Sequence, residues 1–301
     1  MSPTHRRQLA LLGALCLALA ACAGPVYTTR ADPKVVLREL DQSAITSGEP
    51  SLPTRNVLYE HGLFDAFGER PTAAMAALHR ALVAAQGDQD MLFALAELSF
   101  LHAQATKKKD YYLAAAVYAY AFLFPEKTGD SGPGRFDPRL RTAADLYNWA
   151  LILGFRSIAG AEFVPQGGTF ALPFGLLLEV AFDPAALRAG DRELFGFVPI
   201  GELEVHGLAM RYRWPGLGAS LAASTRLIDA SKPGGDMGAR RLKVAGTALL
   251  RISEARRALV QGEPLTSKLE LHLAWDAESV SVAGERVPLE HEPSAATALS
   301  F

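Results

Sequence analysis

Apolar positions recur at two different spacings along this chain, and the change between them divides it. From Pro53 to Gly154 the period is helical. Pro71 opens a segment in which Met75, Leu78, Leu82 and Val83 fall on one face. Gly87-Asp88 breaks that segment and caps the next, Gln89 to about Thr106, where Leu92, Leu95, Leu98 and Leu101 sit among Phe93, Ala94 and Phe100. More than one face of that helix is therefore apolar. Lys107-Lys108-Lys109-Asp110 makes a polar turn, and Tyr111–Phe124 is then uncharged up to Pro125. That stretch is too short to span a bilayer, which needs about 20 residues, and reads as a buried helix. The loop Gly129–Gly134 leads to Asp137-Pro138, a cap-plus-proline start for a helix running to Gly154.

After Gly160 proline and glycine punctuate short runs: Thr169–Leu172, Leu176–Phe182, Leu203-Glu204-Val205 and Met210–Trp214. Lys243–Ile252 predicts a longer strand, and Ser253 predicts the cap of a brief helix, Glu254–Val260. Leu269–Trp275 alternates as a half-buried strand does. Val280–Val282 and Val287–Leu289, joined by a turn at Gly284-Glu285, predict a hairpin. The expected fold class is α+β: a layer of repeat-like antiparallel helices, then a β-rich module with short helices. Alanine at close-approach positions (Ala96, Ala115, Ala119) and a final Pro125 resemble tetratricopeptide repeats, although no clean period recurs.

The first residues change the picture. His5-Arg6-Arg7 precedes the uncharged run Leu9–Ala21, which ends in Leu19-Ala20-Ala21-Cys22. A basic start, a dozen apolar residues and a small-residue exit describe a secretory signal peptide. The cysteine at the exit resembles a bacterial lipoprotein box, with Cys22 as the lipidated first residue of the mature protein. By resemblance to lipoprotein sorting in enterobacteria, where an aspartate at this position favours retention, Ala23 implies transfer to the outer membrane. The expected organisation is a signal peptide over 1–21, a tether and short helix over 22–50, a helical domain over 51–157 and a β-rich domain over 158–301. The short helix begins at Asp32-Pro33 and runs to about Gln42.

Composition then excludes several chemistries. The chain of 301 residues has two cysteines, and Cys16 leaves with the signal. Neither an internal disulfide nor thiol catalysis is left to the mature chain, because an acylated Cys22 offers no thiolate. Of 30 Lys and Arg, 28 remain once Arg6 and Arg7 are removed, against 32 Asp and Glu, a net charge of −4. That balance leaves no basic footprint for nucleic acid.

Candidate chemistry fails string by string. Gly129-Asp130-Ser131-Gly132-Pro133 imitates a trypsin-like nucleophile. It lies between helices, and neither His61 nor His102 has the context of a base, so it reads as a turn. Asn56–Gly62 imitates the strand and His-Gly of an oxyanion loop, which requires a Gly-x-Ser-x-Gly elbow. The nearest string, Gly218-Ala219-Ser220-Leu221-Ala222, lacks the second glycine. His79, His102, His206, His272 and His291 are scattered, with no His-Glu-x-x-His. Glu290-His291-Glu292 reads as a solvated edge, since adjacent strand residues point to opposite faces. Gly167-Gly168 and Gly234-Gly235 are not followed by Gly-Lys-Ser/Thr, so neither is a phosphate loop. Tyr111, Tyr112, Tyr118 and Tyr120 read as core. No catalytic, cofactor-binding or metal-ligating residue is expected, and no cofactor. Cys22 is the one modified position.

Several stretches look like the amino-terminal region of large bacterial α/β-hydrolase lipoproteins. They are Asn56–Glu60, Leu95-Ala96-Glu97-Leu98-Ser99, Tyr111–Tyr120 with Phe122–Pro125, Asp137-Pro138-Arg139, Ala144-Asp145-Leu146-Tyr147-Asn148, Pro215-Gly216-Leu217-Gly218, and the tail from Pro288-Leu289-Glu290 to Pro293-Ser294-Ala295-Ala296. In that family a helical and a β-rich segment precede the hydrolase domain. The sequence stops at Phe301, before such a domain should begin, so no catalytic residue carries over. The resemblance implies a membrane-anchored accessory or substrate-docking half of an esterase- or lipase-like system. Its partners would be membrane lipid through Cys22 and a separate hydrolase domain or envelope protein. The alternatives are a serine hydrolase with an unrecognised site, and a helical-repeat scaffold binding envelope proteins.

Overall fold

A computed structural model describes residues 28–126, 132–158, 160–207, 209–210, 212–228 and 243–300. Cys22 and the signal segment, Gly129–Ser131 and Gly234-Gly235 lie outside the described residues. The chain divides into two units, 1–39 and 40–301. In the first, α1 (Pro33–Leu40) starts where expected, with the Asp32 carboxylate accepting from Lys34 N at 2.9 Å.

The second unit opens with α2 (Leu52–Glu60), α3 (Phe64–Glu69), α4 (Pro71–Ala84), α5 (Gln89–Thr106), α6 (Lys109–Leu123) and α7 (Arg139–Gly154). Caps read in the sequence are present. Asp88 accepts from the amides of Asp90 and Met91, and Asp137 from that of Arg139 at 2.9 Å. Helix α6 is buried from Tyr111 to Phe122 on every face, which its uncharged sequence requires. Glu97, fully buried in α5, latches the segment before α2. Its Oε1 accepts from Ala44 N at 2.8 Å, and its Oε2 accepts from Ser51 N at 3.0 Å and Ser51 Oγ at 2.6 Å.

The strands are β1 (Gly168–Ala171), β2 (Leu177–Phe182), β3 (Arg188–Ala189), β4 (Arg192–Pro199), β5 (Ala219–Leu227), β6 (Lys243–Ile252) and β7 (Leu265–Leu273). They form a mixed sheet in the order β1-β2-β7-β6-β5-β4-β3, in which β2 and β7 run parallel and every other neighbour antiparallel. Helix α8 (Ala255–Gln261) lies between β6 and β7. The hairpin β8 (Ser279–Val282) and β9 (Glu285–Pro288) precedes α9 (Pro293–Ala298). Helices and strands thus interleave in an α+β fold. One hydrophobic cluster takes in Leu92, Tyr118 and Tyr147 from the helices together with Leu178, Leu250 and Leu269 from the sheet. A smaller one packs α9 (Ala295, Ala296) on Ala222 and Ala245.

Some expectations are corrected. Leu203–Val205 and Met210–Trp214 are not strands; Trp214 makes only an isolated bridge to His291. Gly218–Ala222, which lacks the second glycine of an elbow, leads into β5, a strand the sequence reading did not predict, with Ser220 paired to Thr247 in mid-sheet. Ser253 does not cap α8. The Glu126 carboxylate does, accepting from Arg256 N at 2.6 Å and Arg257 N at 3.2 Å. A distant anion at a helix N-terminus satisfies the same orphan amides as a local hydroxyl. The hairpin turn sits one residue earlier than expected, at Ala283-Gly284. Both have positive φ (50° and 85°), which is type I′ geometry.

The helices are joined to the sheet where β5 leaves β6. Ala219 pairs with Ala248, and the chain before it turns aside, so Leu250 has no β5 partner. The Tyr147 hydroxyl of α7 takes that place, donating to Leu250 O at 2.6 Å and accepting from Leu250 N at 2.8 Å. Its neighbour Asn148 holds the diverted turn: Nδ2 donates to Gly216 O at 3.0 Å, and Oδ1 accepts from Gly218 N at 2.6 Å. Gly216 presses on Pro288–Glu290 so closely that a Cβ there would lie 2.4 Å from Leu289 C. Two variants test this reading by urea unfolding. Tyr147→Phe leaves two buried backbone groups unpaired and is expected to lose about 1–3 kcal/mol. Gly216→Ala should destabilise, whereas Gly68→Ala, in the last turn of α3 with nothing within 4 Å of the added carbon, should gain up to about 0.5–1 kcal/mol.

Candidate functional site

The turn held by Asn148 forms one wall of a cleft of about 400 Å³. Leu217 N donates to Pro288 O at 2.9 Å, and Trp214 and His291 exchange backbone bonds at 2.8 and 3.0 Å. Segment 214–217 is thereby fixed against segment 288–291. Gly216 N and the Arg213 guanidinium both donate to the buried Glu290 carboxylate, at 2.9 Å and at 2.8 and 2.5 Å. Trp214, Pro215, Ala274, Glu278, Ser279, Arg286, Pro288, Leu289, His291 and Pro293 line the opening. Three prolines with fixed φ make its rim stiff. Trp214 stands 62% exposed beside it, and Trp275, next to the lining residue Ala274, is 63% exposed.

Glu290, His291 and Glu292 are therefore not a solvated edge. Only 4%, 4% and 2% of their surfaces are exposed. They were expected to alternate on a strand, but the pairing with 214–217 buries all three. His291 Nε2 lies 3.2 Å from Ala277 O and Nδ1 lies 2.9 Å from Thr247 Oγ1. Burial pushes the imidazole below its ordinary pKa, with the Ala277 carbonyl opposing the shift. Thr247 Oγ1 donates its one proton to Glu290 O at 2.6 Å, so it and the Ala277 carbonyl both face the ring as acceptors, and a neutral imidazole donates to one of the two at a time. The one hydroxyl lining the cleft, Ser279 Oγ, accepts from Arg286 Nε at 2.7 Å.

The other sequence candidates do not converge. Ser220 is buried in β5 with no hydrogen-bond partner for its hydroxyl. His61 ends α2, His206 lies in an exposed loop beside Glu204, and His272 faces Glu270 at 3.2 Å. His79 receives a 2.9 Å contact from Tyr118 and stacks on Phe174, and His102 lies edge-on to Tyr111. The four tyrosines are core, as expected. Among the described residues no group of three or more His, Cys, Asp or Glu could hold a metal ion, and no helix is long and apolar enough to cross a membrane. Sequence reasoning missed Trp214, Glu278 and Arg286. An indole in a stretch that never joins the sheet was the available signal.

Fold and cleft together define an α+β protein with a walled cleft that carries an exposed indole at its rim. Comparison with family models, with curated proteins and with solved structures finds no match.

Three buried histidines make the fold acid-sensitive. Burial lowers the pKa of His79, His102 and His291, for His102 with help from Lys108. The unfolded chain therefore binds protons that the folded chain refuses, so their contribution is complete above the ordinary value of 6.5 and is lost as pH falls below it. The melting temperature should drop on acidification from about pH 7.5 to about 5.5. His102 Nε2 is buried without a hydrogen-bond partner, so His102→Phe, which cannot charge, should drop less over the same interval.

Proposed function

We propose that this chain is an exported, lipid-anchored binding module: the accessory, substrate-docking part of an esterase- or lipase-like α/β-hydrolase system, with catalysis carried by a separate hydrolase domain. In this reading residues 1–21 are removed, Cys22 is acylated, and the mature protein sits at the outer membrane. A repeat-like layer of antiparallel helices is followed by the β-rich module that carries the cleft.

The observation behind the non-catalytic part is the state of the groups around the cleft. Hydroxyl attack requires a histidine nitrogen free to take the proton and a donor set for the oxyanion. His291 has both ring nitrogens engaged, by Ala277 O and Thr247 Oγ1, and Ser279 is engaged by Arg286. Such an arrangement holds a ligand and does not cleave it. The family resemblance supplies the hydrolase context, and the Leu19–Cys22 string supplies the address.

Two measurements check the proposal. The purified protein should not turn over short-chain p-nitrophenyl esters or react with a fluorophosphonate. Stoichiometric labelling, abolished by Ser279→Ala or Ser220→Ala, defeats the docking reading in favour of a serine hydrolase. Cells fed a palmitate analogue should incorporate it into the wild-type chain and not into Cys22→Ser, which should also leave the membrane fraction.

A further inference from the structure

We propose that the cleft beside Trp214 binds an oligosaccharide bearing N-acetyl groups, with a sugar ring stacked on the indole. This deepens the reading above, because it rests on a cleft that binds without cutting.

The indole is the first observation. A side chain of this size normally buries most of its area, yet Trp214 is 62% exposed while its backbone is fixed on both sides. Its N–H and C=O are both bonded to His291, and Pro215 follows, so the backbone that carries the ring is fixed before a ligand arrives. An exposed aromatic face on a fixed backbone suits a partner with a flat C–H surface, which is what a pyranose ring offers.

The polar wall narrows the class. Glu278 and Arg286 face the same cleft without an ion pair to each other among the described residues, and Arg286 Nε is steadied by Ser279 Oγ at 2.7 Å. A carboxylate accepts and a guanidinium donates, each in a planar, two-pronged geometry. Sugar hydroxyls are both donors and acceptors and can use both groups. A simple anion would meet Glu278, and an alkyl chain would strip water from two charges without replacing it. The apolar floor formed by Pro288, Leu289 and Pro293 gives the methyl of an acetamide a place that a bare hydroxyl would not fill. A volume of about 400 Å³ lies within the range of about 300–1,000 Å³ typical of small-molecule sites.

The test uses the full chain purified in detergent and isothermal titration calorimetry with the N-acetylglucosamine trimer chitotriose. Cellotriose, which has the same rings without acetamides, serves as the comparison. Chitotriose should bind saturably, with cellotriose about tenfold weaker, a difference of about 1.4 kcal/mol. Trp214→Ala should weaken chitotriose binding at least about tenfold and Trp214→Phe by less, while Trp275→Ala, outside the lining, should leave it unchanged. Unaltered melting of the Trp214 variants shows that they fold.

No heat from chitotriose at about 10 mM overturns the proposal. Equal binding of cellotriose overturns the acetamide assignment, and binding that survives Trp214→Ala overturns the site. Fluorophosphonate labelling with sugar binding intact would defeat the docking reading alone. Absent labelling and absent sugar binding would defeat this proposal alone.

Discussion

Two adjacent side chains, Tyr147 and Asn148, carry the constraint on which the rest of the second unit depends. Where β5 parts from β6, a buried N–H and C=O would be left unpaired, and the Tyr147 hydroxyl closes both with one oxygen. Asn148 then gives the diverted chain a fixed path through Gly216 and Gly218. Only because that path is fixed can Trp214–Leu217 pair with Pro288–His291, and only because of that pairing does a cleft exist between them. The same two residues thus bond a helix to the sheet and place the site's main wall. Burying polar groups in this way is tolerable only when every one is satisfied, and here each amide and hydroxyl has its partner.

Local physics was legible in the sequence. The uncharged run Tyr111–Phe124 could only be a buried helix, and Asp88 and Asp137 announced their caps. Lys243–Ile252 had no other reading than a strand. What could not be read depended on residues far apart. Strands β4 and β5 were missed because their sequences, Arg192–Pro199 and Ala219–Leu227, alternate poorly; β5 is buried on both faces from Ala219 to Thr225, which erases the period-two signal. Ser253 was a sound local cap that lost to Glu126, more than a hundred residues earlier. The Glu290-His291-Glu292 triplet looked solvated because charged residues usually are. Its burial follows from Arg213, Thr247 and Gly216, none of which is near it in sequence.

Of the stretches on which the family resemblance rests, three meet in space at one place and a fourth holds a segment outside them. Leu95–Ser99 contributes Glu97, which holds the chain before α2. Ala144–Asn148, Pro215–Gly218 and the Pro288–Glu290 tail meet at the junction just described. Around the cleft that the junction leaves open stand an indole, a carboxylate and a guanidinium, with a proline rim.

The Tyr147–Leu250 bond also has a kinetic side, because it joins residues 103 apart in sequence. Closing a loop of that length costs about 4 kcal/mol of chain entropy before any contact repays it. Helices α4, α5 and α6 meet their neighbours over short separations, and so do β4, β5, β6 and β7, which pair in sequence order; the distant contacts are those that bond helix to sheet and β2 to β7. The topology therefore favours helical and strand units that form over short separations, with the helix-to-sheet bond and the cleft, whose walls at Gly216 and Glu290 lie 74 residues apart, closing afterwards.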